Sequence, residues 1–298
     1  MKKLSIILIL ISSLSFSCLG QDGYDTIPHI HLGTIAHENQ GNSFITFPTD
    51  IGNIEPIWFE ANLIPNFNIR TSKNSRLLGV LTPQIIIRMY QEESFPVRTP
   101  SYIPQLTVYY LLSEKEKANS FSLFGRFTHH SNGQDGDFYL ENGDINVKTG
   151  SFATNYFDLG IIRTRYSNRF NAVQFLSTSL EIHPPSMSIE ELEGIYGMYR
   201  WNAIFSIFKL QNKAVDGHKK ASLSVKGKAT WMFGELHDKK PIAWRRFILS
   251  LTVYYHPNFL EDIGFFAQVY HGSDYYNIYF DHQLSVIRFG IMTEILRF

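Results

Sequence analysis

Along most of this chain polar and apolar residues alternate with a period of two, the mark of strands that turn one face to an apolar environment. The stretch 119–132 is the clearest case. Phe121, Leu123, Phe127, His129 and Ser131 point one way, and Ser122, Arg126, Thr128, His130 and Asn132 point the other. In 152–167, Asn155, Phe157, Leu159 and Ile161 share one side, and Thr154, Tyr156, Asp158 and Thr164 share the other. Alternation read together with aromatic and β-branched content gives twelve candidate strands: 41–49, 57–71, 76–90, 102–114, 119–132, 152–167, 171–184, 196–211, 219–236, 244–256, 262–272 and 284–298.

The connections fall into two classes. Short polar turns lie at 72–75, 114–117, around Asn168 and at 256–258, with 212–218 the longest of that set; longer segments lie at 91–101, 133–151, 185–195 and 273–283. An even number of strands, with short turns at one rim and long loops at the other, is the pattern of an outer-membrane β-barrel. The chain also closes on Phe298 after a strand-like run, as such barrels commonly do. The competing reading is an exported soluble two-sheet protein, whose strands alternate as well. Strand length favours the barrel: many runs reach ~12 residues, as tilted bilayer spans require and soluble strands rarely do. The expected fold is all-β, a single 12-stranded antiparallel transmembrane β-barrel over 41–298.

The first twenty residues break the pattern. Met1, Lys2 and Lys3 precede an apolar run from Leu4 to Leu10 and a Ser-rich stretch up to Gly20, which reads as a signal peptide cleaved before Gln21. Lipidation of Cys18 is the alternative, although Ser15 rather than an aliphatic residue stands three positions before it. Residues 21–40 are expected as an N-terminal periplasmic segment. Cys18 is the only cysteine, so no disulfide supports the roughly 278 residues that remain. A formal charge of zero argues against nucleic acid as a partner. No later stretch approaches the ~20 apolar residues of a membrane helix. The expected location is the bacterial outer membrane.

Counted from a periplasmic N-terminus, strand 119–132 runs outward, so His129 and Ser131 end an apolar stripe at the outer rim on the lipid side, and Asn155 begins the returning strand at the same level. A polar cluster facing hydrocarbon is costly unless it has a use. Serine, histidine and a group able to orient the histidine are the parts of an activated nucleophile: Ser131 attacks an ester carbonyl, His129 carries the proton, Asn155 holds the imidazole, and the Gly133 N–H is a donor for the oxyanion. The substrate at that depth is a lipid.

The run His129-His130-Ser131-Asn132-Gly133, with Asn155 following, resembles the outer membrane phospholipase A family, whose motif is His-x-Ser-Asn-Gly with a later Asn. The segment Arg98-Thr99-Pro100-Ser101-Tyr102-Ile103-Pro104-Gln105-Leu106, residues 222–227 and residues 268–298 look similar too, so the resemblance spans most of the chain. It implies a twelve-stranded barrel and a phospholipase of A1/A2 and lysophospholipase type whose catalysis needs calcium (Ca2+) and a calcium-promoted homodimer. It also implies calcium ligands at Ser151, four before Asn155, at the carbonyl of Gln134, and at Ser94 of a partner's loop. Two departures stand out: Gln134 replaces the family's usual Arg, tolerable where only the carbonyl binds, and the loop from Ser131 to Asn155 is longer than in enterobacterial members.

Other polar groups have plainer readings. His130 faces the lumen as a hydrogen-bonded interior residue. His29 and His31 share a strand face but lack a third metal ligand. Asp135, Asp137, Glu141 and Asp144 have calcium-friendly spacing within what reads as a solvated loop, and 190–193 reads as another external loop. The competing functional class is a non-enzymatic channel or structural barrel with a degenerate site.

Overall fold

The computed structural model describes residues 30–47, 51–52, 55–72, 74–114, 119–211, 220–236, 240, 242–257, 259–260, 262–293 and 296. The signal segment 1–20 and His29 lie outside them. A helix, α1 (Leu32–Gln40), is followed by β1 (Phe44–Thr46), β2 (Ile57–Leu63), β3 (Phe67–Ile69), β4 (Leu77–Tyr90), β5 (Ser101–Leu111), β6 (Ser120–Ser131), β7 (Ala153–Ser167), β8 (Ala172–Ile182), β9 (Tyr199–Leu210), β10 (Ala221–Phe233), β11 (Phe247–Tyr255), β12 (Ile263–Ser273) and β13 (Gln283–Thr293). Neighbouring strands pair antiparallel, β1 bridges β13 and β2, and β2 pairs with β4, so the sheet closes on itself.

β2 and β3 are two pieces of one stave. Leu63 pairs with Ile85 and Phe67 with Leu81, an unbroken register along β4. The interruption has a local cause: that register sets Pro65 opposite Pro83, and neither nitrogen can donate to the ladder. The result is a closed 12-stranded antiparallel barrel with one extra strand piece, its staves matching the twelve runs of alternation. β5 shows the pattern most plainly, with Tyr102, Leu106, Val108 and Tyr110 exposed on the outer face and Ser101, Ile103, Gln105, Thr107 and Tyr109 buried inside. Outward aromatics flank this apolar band at both rims, among them Trp58, Tyr199 and Trp201 at one and Phe67, Phe121 and Tyr255 at the other.

The lumen is filled. Helix α1, which alternation did not predict, sits inside the short-turn end and seats Leu32, Ile35 and Ala36 against Leu78, Tyr109 and Phe208. Polar bonds tether it to the wall: Glu38 to Lys226 at 2.9 Å, Ser206 to Glu38 at 2.7 Å, Arg126 to Asn39 at 2.6 Å and Gln40 to Thr107 at 2.9 Å. The segment read as periplasmic thus enters the barrel by residue 30, and His31 precedes the helix instead of lying on a strand face. At the other end the long loops fold inward, where Phe138, Phe152, Leu192, Tyr196 and Phe280 form a second apolar cluster. Against this second cluster lies an ionic layer, with the Arg88 guanidinium 4.3 Å from the centre of the Tyr276 ring. Arg88 bonds Glu60 at 2.7 Å and grips Asp274 through two bonds of 2.6 and 2.8 Å, and Arg288 reaches Glu60 at 3.0 Å. A cavity of about 340 Å³ remains, bordered by Asn62, Gln84, Tyr156, Glu181, Lys228 and Gln268.

Candidate active site

β6 and β7 pair without a slip from Ser120↔Thr164 to Ser131↔Ala153, which puts His129 directly opposite Asn155. Both side chains are on the outer face, half-buried, and His129 Nδ1 lies 2.9 Å from Asn155 Oδ1. The amide is held from its other end, because Asn155 Nδ2 donates to the Met187 carbonyl at 2.8 Å. That bond requires the amide nitrogen to face Met187 and the oxygen to face the imidazole. An oxygen there can only accept, so the proton sits on Nδ1 and Nε2 keeps its lone pair, the form a general base needs. Ser131 is two residues further along the same face, half-buried, and its hydroxyl makes no hydrogen bond among the described residues. The register of β5 against β6, Tyr102↔Ser131 and Gln105↔Thr128, sets Pro104 opposite His129. Lacking an N–H, Pro104 leaves the ladder unlaced beside the imidazole.

The loop after Ser131 is closed by Asn132, which is 1% exposed. Its Nδ2 donates to the Gly150 carbonyl at 2.8 Å, and its Oδ1 accepts from the N–H groups of Phe152 at 3.0 Å and Gln134 at 3.3 Å. One amide thus fastens the first and last residues of the loop together. Gly133 follows with φ 67°, a conformation side chains disfavour, and a Cβ there would press on the Tyr102 ring. Beyond it Gly136 runs beside Gly150, and the Ser151 N–H donates to the Gly136 carbonyl at 2.9 Å. Gln134 and Ser151 are therefore on adjacent backbone segments at the rim next to Ser131. Ser94 lies at the same rim, exposed, in the turn after β4 with φ 64°.

Behind the wall a buried polar chain supports Asn155. Thr154 Oγ1 bonds Ser188 Oγ at 2.8 Å and His183 Nδ1 at 2.9 Å, and His183 Nε2 meets Glu181 at 2.9 Å. The Ile189 N–H donates to the Ala153 carbonyl at 3.0 Å. These contacts fasten the turn Pro185–Met187, and with it the Met187 carbonyl, against β7. Burial holds the His183 imidazole below its usual range, and Arg200 pushes the same way against the opposing pull of Glu181. The roles of Asn132, Thr154, His183 and Met187 went unread in the sequence. His183-Pro184-Pro185 was the available signal for a rigid turn, but nothing local ties it to Asn155.

The remaining candidates do not gather. Asp135, Asp137, Glu141 and Asp144 are all exposed, and among the described residues no three acidic, histidine or cysteine side chains converge. His130 is buried toward the lumen, as expected, against Phe152 at 5.0 Å between ring centres, and among the described residues its Nε2 makes no hydrogen bond. In the run 190–193, Leu192 is fully buried and anchors the loop.

No family model and no curated protein matches the chain by sequence. Solved structures do. Outer membrane phospholipase A from Escherichia coli aligns over 89% of this chain and 98% of its own, with a TM-score of 0.57 and 12% identity. A variant of that protein described as an active-site mutant, an asparagine replaced by alanine, aligns over 93% of this chain and 95% of its own at 0.55 and 11%. The Salmonella typhi outer membrane phospholipase dimer with bound calcium aligns over 93% and 95% at 0.54 and 12%. The chain has the fold of outer membrane phospholipase A.

Proposed function

We propose that this chain is a calcium-dependent outer-membrane phospholipase that hydrolyses the acyl ester bonds of phospholipids. The observation that carries the reading is the His129–Asn155 bond on the membrane face, with Ser131 two residues on. Ser131 Oγ attacks the ester carbonyl while His129 Nε2 takes its proton. The imidazolium returns that proton to the leaving alcohol, and water then releases the fatty acid by the same route in reverse. Asn155 holds the tautomer through a neutral hydrogen bond. The Gly133 N–H is the nearest candidate donor for the oxyanion. That an alanine variant at an asparagine is an active-site mutant in the E. coli protein supports the role of Asn155.

The groups expected to hold calcium are all oxygens, a hydroxyl on Ser151 and a carbonyl on Gln134, and hard oxygen donors suit that cation. The Asn132 clamp keeps their two backbone segments together. Two such groups fall short of the 6–8 ligands calcium takes, which leaves room for water and for Ser94 of a second copy. Bound there, calcium would supply positive charge near the developing oxyanion. The calcium-bound dimer of the Salmonella typhi protein supports this part of the reading.

The alternative, a non-enzymatic channel, fits poorly with a lumen that holds α1, an ionic layer and inward-folded loops. The test is hydrolysis of a phospholipid in detergent, with and without calcium, by the chain and by Ser131→Ala and His129→Ala. Both variants are expected to stay heat-modifiable barrels and to lose turnover to a similar extent, since members of such a unit are non-additive. Most of the activity surviving in either folded variant would remove this site.

A further inference from the structure

On the outer face, the short-turn ends of β7 to β9 are basic. Arg163 and Arg165 are two apart on the outward side of β7, Arg169 lies in the turn Asn168–Phe170 that follows, and Lys209 stands near the end of β9. All four are exposed. Among the described residues, no acidic side chain faces outward on β6 to β9 or sits in the turn between β7 and β8.

The four cations are held differently. Lys209 Nζ donates to the Phe170 carbonyl at 2.6 Å, which ties that turn to β9. The guanidiniums of Arg163, Arg165 and Arg169 make neither a hydrogen bond nor an ion pair among the described residues. Two of them lie against aromatic rings instead. Arg163 is 5.7 Å from the ring centre of Phe121, its cross-strand neighbour, and Arg169 is 5.5 Å from that of Phe170. Gln174, opposite Arg165 on β8 and half-buried, also lacks a hydrogen bond among the described residues. Toward the middle of the membrane the same staves turn apolar, and the register Arg163↔Leu176↔Phe205 sets exposed Leu176 and Phe205 beside the basic group.

Phe121 belongs to the aromatic girdle of this rim, so the guanidiniums lie where hydrocarbon gives way to headgroups. An arginine at that level runs its stem along the rings and directs its N–H donors to the polar side. Its planar fork matches two oxygens of a phosphate. We propose that Arg163, Arg165, Arg169 and Gln174 bind the phosphodiester of an anionic glycerophospholipid in the leaflet that meets the short turns, with its acyl chains along Leu176 and Phe205. Charge selects the headgroup. A zwitterionic lipid would bring its ammonium among four cations, whereas phosphatidylglycerol offers hydroxyls and no amine. Arg163 is eight positions beyond Asn155 on the same face of β7, about 26 Å along the strand at ~3.3 Å per residue. The site is therefore apart from the candidate triad, and the proposal stands whether or not Ser131 is a nucleophile.

The test uses phosphatidylglycerol with a diazirine near the glycerol end of one acyl chain, cross-linked in mixed micelles to the Ser131→Ala chain and mapped by peptide mass, beside the matching phosphatidylethanolamine probe. Labelling of peptides covering 161–176 and 205–209 is expected to be several-fold stronger with phosphatidylglycerol, and 1 M salt, where the screening length is ~3 Å, should remove the difference. Arg163→Gln and Arg165→Gln, added singly, should each lower the phosphatidylglycerol label about fivefold, the worth of ~1 kcal/mol for one cation at an anionic surface. Arg245 is exposed in the turn Trp244–Arg246 at the long-loop rim, and Arg245→Gln, which makes the same change in net charge, should leave the label unchanged. Heat-modifiability reports folding of each variant. Equal labelling by the two lipids, or a loss in Arg245→Gln matching that in Arg163→Gln, would overturn the site. Displacement of the label by millimolar glycerol phosphate would overturn the lipid as its occupant.

Discussion

Replacing Asn132 by Ala should disable the site without unfolding the barrel. The side chain is 1% exposed and makes three hydrogen bonds that join residues 134, 150 and 152. Alanine removes them and leaves the Phe152 N–H and the Gly150 carbonyl without their side-chain partner. The two shorter bonds are worth about 1 kcal/mol each, and burying an orphaned group adds ~1–3 kcal/mol. A local loss of about 3 kcal/mol raises the open fraction of the loop by roughly a hundredfold. The barrel ladder itself does not involve this side chain, so the melting midpoint should move little. The consequence falls on Gln134 and Ser151, which the clamp keeps on adjacent segments. Phospholipid hydrolysis should fall at least tenfold, the calcium concentration for half activity should rise, and limited proteolysis should cut within 133–151 faster than in the unmutated chain. Asn132→Asp should resemble the alanine variant, because it turns an acceptor toward the Gly150 carbonyl. A folded Asn132→Ala chain with unchanged calcium response and unchanged proteolysis would refute the clamp.

Asn155→Ala should reduce kcat by about tenfold, the worth of one neutral hydrogen bond of ~1 kcal/mol or slightly more, and leave measurable turnover; a loss as complete as that of Ser131→Ala, in a folded chain, would mean that Asn155 does more than orient. Ser151→Ala should shift the calcium midpoint upward and weaken cross-linking of the dimer in detergent, with no change in heat-modifiability; an unmoved midpoint would remove Ser151 from the ligand set. For His183, burial lowers the folded value below the ordinary ~6.5, so its neutral form is the one the fold favours. Its contribution to stability is therefore complete above about pH 6.5 and declines as the pH falls below it. The heat-modification midpoint should drop between pH 7 and 5 by more in the unmutated chain than in His183→Gln, and equal drops would remove His183 as the source.

Much of the architecture could be read from residue order because a barrel wall has only two environments, lipid and lumen, and alternation reports both. The period also placed His129 and Ser131 on one face, and the turn-length asymmetry placed them at one rim. What stayed illegible involves groups distant in sequence. Helix α1 offers only Leu32, Ile35 and Ala36 as an apolar stripe, one helical turn that the preceding residues disguise as alternation. The ion pairs of Arg88 with Glu60 and Asp274 join residues up to 186 positions apart, and no local spacing announces them. Met187 reaches Asn155 through a backbone carbonyl, an atom every residue has, so sequence chemistry gives no hint of it.

The placement of the candidate triad on strands follows from the same two-environment logic. A register slip of one residue between β6 and β7 would set Thr154 or Tyr156 opposite His129 and exchange faces across the hairpin, sending lipid-facing rings into the ionic lumen. The cross-strand pairs Phe127↔Phe157 and Arg126↔Asp158 resist that slip from opposite sides of the wall: the first has ring centres 5.3 Å apart facing lipid, and the second is an ion pair at 3.7 Å inside. Both lie within three residues of His129. The precision of the His129–Asn155 contact is thus inherited from interactions that fold the barrel, and loops are left to supply the Met187 carbonyl, the Gly133 N–H and the oxygens expected to meet calcium. Changes in those loops should therefore alter activity and calcium response by degrees, whereas a change that reverses the Arg126–Asp158 pair should misplace the imidazole outright.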